Sequence, residues 1–208
     1  MILYIARHGE TDWNHEGRYQ GQRESHLTAR GRAQAEALGE ALAEKSIGRI
    51  VSSPLARCAD TAQPLSRRAG VPVETDRRLI EIAHGDWEGR LRVDIERDDP
   101  ELMRRWREKP DEVRFHGGES LADVFARWRA FVDDLAGKNS IAVITHDVLV
   151  RLALLDATDR PLSRLWDPRV VNGGYARLSV EAGRLRVLDE CIDAHLSGLL
   201  VDTKGQAL

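Results

Sequence analysis

Short apolar runs alternate along this chain with longer amphipathic stretches. Ile2-Leu3-Tyr4-Ile5-Ala6, Arg49-Ile50-Val51-Ser52 and Ser140-Ile141-Ala142-Val143-Ile144-Thr145 are brief and rich in β-favouring residues, the pattern of buried strands. Val71 to Thr75, Tyr175 to Val180 and Leu185 to Leu188 extend the set, the last two joined by a turn at Gly183. Elsewhere apolar residues recur at three- and four-residue spacing. Ala35, Leu38 and Leu42 predict a helix from a Thr28 cap to about Lys45. Leu55, Cys58, Ala62, Leu65 and Ala69 predict a second, opened by Ser53-Pro54 as cap and first-turn proline. Leu121, Val124, Phe125, Trp128, Val132 and Leu135 predict a third, running to about Ala136, with Ser120 and Asp123 as a capping box. Val148 to Leu155 predicts a fourth. Residues 9–27 read as one long loop and Leu79 to Gly89 as an irregular segment. Leu91 to Glu108 predicts charge-rich helices broken at Pro100 and Pro110, part of an insertion at about 90–118 over one edge of the sheet. The last ten or so residues, with Thr203-Lys204-Gly205, read as a loose tail.

Strands alternating with helices predict an α/β fold, a three-layer α/β/α sandwich with a mostly parallel central sheet, in one domain of 208 residues. Lys plus Arg number 31 against 34 Asp plus Glu, so the net charge is −3. That balance argues against a general nucleic-acid or membrane-surface role, and any basic patch must be local. No apolar run is long enough to span a bilayer, and the expected location is cytoplasmic. Cys58 and Cys191 form neither metal spacing nor a disulfide framework; both are expected to be packing residues in a reducing compartment. Homodimerisation is left open.

Parallel sheets bind ligands beyond the carboxyl ends of their strands. Three of the expected strands end in chemistry of one kind: Arg7-His8-Gly9, the Ser53 to Arg57 segment, and His146-Asp147. Arg57 falls in the first turn of its helix, where a cation faces the positive end of the helix dipole unless an anion sits between them. Two arginines and two histidines at one sheet edge suit a tetrahedral dianion. A metal would want carboxylates or cysteines beside the histidines, and arginines repel it, so neither metal nor cofactor is expected. His15, His26, His84, His116 and His195 are expected on the surface or at the rim. Arg18, Gln20, Arg151 and Tyr175 are either substrate contacts or packing residues, and Trp106 is either core or rim.

Arg7-His8-Gly9-Glu10-Thr11, with Asn14, Arg18, Gln20 and Gly21, resembles the signature of the histidine phosphatase superfamily, which includes cofactor-dependent phosphoglycerate mutases. Leu27-Thr28, Gly31, Gln34-Ala35, Ser52-Ser53-Pro54-Leu55, Arg57 and Thr61-Ala62 are similar to its following blocks. Glu81, Gly85, Trp87-Glu88-Gly89, Gly118-Glu119-Ser120 and His146 continue the likeness. The resemblance implies that His8 is a nucleophile that becomes a phosphohistidine. It implies that Arg7, Arg57 and His146 neutralise phosphoryl oxygens, with Asn14 as a further donor and Gln20 and Gly21 at the substrate. Glu81 is implied as the proton donor, which requires a raised pKa. One position departs from the pattern: Asp147 stands where most members carry glycine. It is a proton donor, a substrate contact or a cap for the helix that starts there, the cap being the commoner use of such a residue. The implied activity is metal-independent hydrolysis of a small phosphorylated metabolite. The rivals are a mutase-type phosphotransferase, disfavoured by Trp87-Glu88-Gly89, and a non-catalytic phosphate-binding module.

Overall fold

Alternate residues of the first strand, β1 (Ile2–Arg7), face opposite sides: Leu3 and Ile5 join one apolar cluster, Tyr4 and Ala6 another. That division is the expected three-layer sandwich, because a strand buried on both faces needs a helical layer on each. The computed structural model describes residues 1–135, 137, 139–201, 206 and 207. Its six-stranded sheet adds β2 (Ile47–Ser52), β3 (Val73–Thr75), β4 (Ser140–Thr145), β5 (Tyr175–Glu181) and β6 (Arg184–Ile192), in the order β3-β2-β4-β1-β5-β6. The first four strands in chain order run parallel, and β5 and β6 complete the sheet antiparallel. The turn between them places Ala182 and Gly183 at φ 48° and 73°, left-handed geometry that glycine adopts freely.

The helices α1 (Asp12–Glu16), α2 (Ala29–Ala43), α3 (Ala56–Ala69), α4 (Arg92–Asp98), α5 (Pro100–Glu108), α6 (Leu121–Asp133) and α7 (Asp147–Asp156) fill the outer layers. Leu38, Leu42, Cys58, Ala62 and Leu65 of α2 and α3 cover one face of the sheet. Trp128, Val132, Leu149 and Ala153 of α6 and α7 cover the other. The capping box of Ser120 and Asp123 opens α6 as the sequence leads one to expect. The helix ends at Asp133; its expected end at Ala136 lies outside the described residues, as does Thr203-Lys204-Gly205.

Several expectations need correcting. Residues 9–27 are not all loop, since Thr11 caps α1 in a capping box with Asn14. Ser53-Pro54 does not open α3; Leu55 is the N-cap and makes no side-chain cap. Pro100 and Pro110 do not merely interrupt the segment from Leu91. Pro100 opens α5 and Pro110 begins a short 3-10 turn, both places where a missing N–H costs nothing. That segment is more than a solvated cover, because Ile95, Met103, Trp106 and Phe115 enter the α6/α7-side core, with Trp106 at 1% exposure. The tail is not loose throughout: Gln206 and Ala207 are buried. Among the described residues no helix is long and apolar enough to cross a membrane.

Candidate active site

β2, β4 and β1 are neighbours and parallel, so their carboxyl ends lie side by side. Register pairs Arg7 with Thr145 and Ser52 with Ile144. The next residues, His8, Ser53 and His146, therefore emerge together. Gly9 lets the chain leave β1 against α2: a Cβ there would meet Gly31 O at 2.3 Å. Thr61 Oγ1 accepts from Gly9 N at 3.1 Å, tying this bend to α3.

His8 is buried, and its ring lies 5.3 Å from that of His146, edge to face. Its Nδ1 donates to Gly9 O at 2.7 Å, because a carbonyl can only accept, and Nε2 is left with its lone pair. Burial, then the charges of Arg57 and Arg7, hold its pKa well below the ordinary histidine value, so the ring is neutral. A neutral imidazole with an uncommitted Nε2 is the form that attacks phosphorus.

The donors around it are buried and partly unused. Arg7 Nη1 lies 3.3 Å from Asp147 and Nη2 donates to Gln206 Oε1 at 2.6 Å, yet Nε and Nη1 make no hydrogen bond among the described residues. Asn14 Oδ1 accepts from Thr11 N and from Asn172 Nδ2, which orients the amide and leaves Nδ2 without a partner. Arg57 is clamped by Gly21 O at 2.7 Å and Arg23 O at 2.8 Å. Buried donors without partners are costly, and the two unpartnered Arg7 nitrogens facing the cleft that holds His8, with Asn14 Nδ2 unpartnered behind it, imply an acceptor-rich ligand. That cleft is lined by Arg7, His8, Gln20, Gly21, Arg57, Glu81 and Asp147, together with His84, Val148 and Ala207. Its free space is about 20 Å³, room for water but not for an ester. A roomier groove of about 400 Å³, lined by residues such as His26, Arg32, Glu36 and Arg67, has no comparable convergence of unused donors.

Glu81 faces this cleft at 7% exposure, and burial raises its pKa to about 7 against the opposing Ile82 N–H. It can thus give a proton and take one back near neutral pH.

Asp147 is not a cap by its side chain. His146 is the N-cap of α7, and the Asp147 carboxylate is committed to Arg7 and to Arg151, whose Nε donates at 2.5 Å. Arg151, left open between substrate contact and packing, is therefore anchored by Asp147, Pro168 O and the Trp166 ring. Removing the carboxylate strands two buried cations. Asp147→Ala should cost about 3–5 kcal/mol and lower Tm by roughly 10 °C in thermal denaturation, with Asp147→Asn costing less.

The remaining assignments divide. Gln20 lines the cleft while its Oε1 accepts from Ser25 at 2.6 Å. Arg18 is spent on Glu16 and Gly89 O, and Tyr175 packs on Tyr4 and His195. His15, His26 and His116 are exposed, as expected, and His195 is half-buried. His84 is the exception. It is 3% exposed, lies edge-on to Tyr19, Trp106 and Phe115, and neither ring nitrogen has a partner among the described residues. Burial, then Arg57, lower its pKa to about 3. One local signal pointed to it, its place three residues after Glu81.

The chain is similar to known proteins along nearly its whole length. The family model of the histidine phosphatase superfamily (branch 1) matches residues 3–192. Phosphoserine phosphatase 1 of Hydrogenobacter thermophilus is 34% identical over 203 residues, 96% of either chain. Bacillus stearothermophilus YhfR superposes with a TM-score of 0.87 at 32% identity, over 94% of this chain and 98% of that one. A mycobacterial glucosyl-3-phosphoglycerate phosphatase in complex with VO3 gives 0.84 at 34% identity, over 90% and 97%. With the family pattern spanning nearly the whole chain, this protein belongs to the histidine phosphatase superfamily, branch 1.

Proposed function

We propose that the protein is a phosphomonoesterase that hydrolyses a small phosphorylated metabolite through a phosphohistidine on His8, within one domain whose 90–118 segment packs behind the cleft residue His84 through Trp106 and Phe115. The observation that carries this is the neutral His8 ring, its Nε2 uncommitted, beside the buried and unused donors of Arg7 and Asn14. His8 Nε2 attacks phosphorus and the P–O bond to the alcohol breaks. Arg7, Arg57 and Asn14 stabilise the charge on the transferring group; His146, which the resemblance puts beside them, faces Arg57 with Nδ1 and Ser53 with Nε2 and so acts through Arg57. Glu81 protonates the departing alkoxide, then takes a proton from the water that cleaves the phosphohistidine and releases inorganic phosphate. His84 offers unused hydrogen-bonding capacity in the same cleft to the rest of the substrate.

The relatives named for phosphoserine and glucosyl-3-phosphoglycerate support a substrate that is a phosphorylated small acid. The test is a panel of phosphoserine, 3-phosphoglycerate, sugar phosphates and p-nitrophenyl phosphate, scored by phosphate release. Turnover is expected without a bisphosphorylated activator and without change on adding EDTA. Conversion of 3-phosphoglycerate to 2-phosphoglycerate, dependent on 2,3-bisphosphoglycerate and with negligible phosphate release from any ester, would establish a mutase instead.

A further inference from the structure

We propose that Ser53 is a positioning residue: it accepts the Nε2 proton of His146, holds that imidazole as one neutral tautomer, and keeps its Nδ1 lone pair on Arg57. The argument begins with the direction of two hydrogen bonds. Arg57 Nε lies 3.3 Å from His146 Nδ1, and a guanidinium can only donate. Nδ1 is therefore the acceptor, and the single ring proton must sit on Nε2. Nε2 lies 2.8 Å from Ser53 Oγ, to which it donates. His146 is 0% exposed, and burial together with Arg57 holds it uncharged, so a second proton does not blur the assignment.

Ser53 has no other evident duty. It does not cap α3, and its hydroxyl accepts nothing else but a long 3.4 Å contact from Leu55 N. Behind it stands the Cys58 thiol, within hydrogen-bonding reach of Ser53 and 3.3 Å from Thr145 O, to which the thiol donates. The polar groups run in one direction, from Arg57 through His146 and Ser53 to Cys58 and the backbone of β4. Such a chain, with every donor matched to an acceptor, selects one ring orientation at low dielectric.

The consequence falls on Arg57. Its Nε is held by His146, and Nη1 and Nη2 by Arg23 O and Gly21 O, so three acceptors fix the guanidinium plane. Without Ser53 the Nε2–H keeps only a weak acceptor, the Cys58 sulfur at 3.4 Å, which also lies 3.8 Å from Nδ1 and so does not select one ring orientation; Arg57 then loses one of its three fixing points. This kinetic consequence rests on the phosphomonoesterase reading; the tautomer does not.

The experiment therefore has two readouts. Long-range ¹H–¹⁵N correlation spectra, with the His146 signals assigned through His146→Gln, should show the Nε2–H form, unchanged as pH passes about 6.5, where an ordinary histidine charges. Ser53→Ala should show mixed or inverted tautomers, and its kcat should fall about 10–100-fold, the loss seen when the partner orienting a metal-bound histidine is removed. KM should change little, and Ser53→Thr should restore both signals. An Nδ1–H or doubly protonated His146 in the wild type overturns the proposal, as does a Ser53→Ala variant with wild-type tautomer and kcat. Neither spectrum requires turnover, so absence of phosphatase activity would count against the function and leave the Ser53 assignment to the spectra. Should Ser53→Ala fail to fold, the wild-type and Ser53→Thr spectra still decide.

Discussion

His8→Ala should abolish turnover, with a loss of about 10⁴–10⁶ in kcat by analogy with removal of other enzymatic nucleophiles. No neighbouring group replaces it. His146 is the nearest imidazole, but its Nδ1 and Nε2 face Arg57 and Ser53. Rapid acid-free quenching of wild type with ³²P-labelled substrate should trap acid-labile label on His8, and His8→Ala should trap none. Full activity in that variant, or label on another residue, would remove covalent catalysis at His8. Folding should survive the change, since the His8 side chain contributes a single hydrogen bond, to its neighbour Gly9. Unaltered thermal denaturation would show that the chemistry and not the fold was lost.

Glu81→Gln should lose about 10²–10⁴ in kcat on alkyl phosphates, the usual range for a general acid. It should lose much less on p-nitrophenyl phosphate, whose leaving group needs little protonation. Asp147→Asn should show a smaller effect, equal across leaving groups, because Asp147 is committed to Arg7 and Arg151. If the two variants exchange behaviours, the proton donor is Asp147. The pH dependence adds a sign. With a carboxyl raised to about 7, wild-type kcat on alkyl phosphates should fall as pH rises through about 7, and Glu81→Gln should lack that limb. Stability follows the same direction. The buried carboxyl binds a proton more tightly in the folded chain than in the unfolded one, where its value is near 4.5. Its favourable contribution is complete below about pH 4.5 and is lost as pH climbs to about 7, a change on the order of 3 kcal/mol. Glu81→Gln should therefore gain stability relative to wild type above pH 7 in denaturant titrations, even as it loses activity.

Hydrophobic periodicity was sufficient for the sandwich and for most of its strands and long helices, because burial on one or both faces imposes the period that local sequence must carry. The motif residues at the strand ends were legible for a related reason. Once β1, β2 and β4 are parallel neighbours, Arg7, His8, Ser53 and His146 must share an edge, and chain order alone comes close to saying so. What sequence left open were roles that depend on partners distant in the chain. Ser53 looks like a helix cap beside Pro54, but a cap competes with His146, which lies 93 residues away and is invisible to local propensity. Asp147 looks like a cap for the same reason, until Arg7 and Arg151 enclose it and a buried carboxylate takes the cations. By residue type alone His84 is a surface or rim histidine, and it becomes a buried cleft residue because Tyr19, Trp106 and Phe115, drawn from three segments, close around it. The end of the chain shows the limit most plainly. Gln206 carries no motif and sits in a polar stretch, yet it accepts from Arg7 across 199 residues of sequence. That contact exists because Arg7 is buried with unused donors and any acceptor within reach lowers their cost, a condition set by the assembled site rather than by the residues around Gln206.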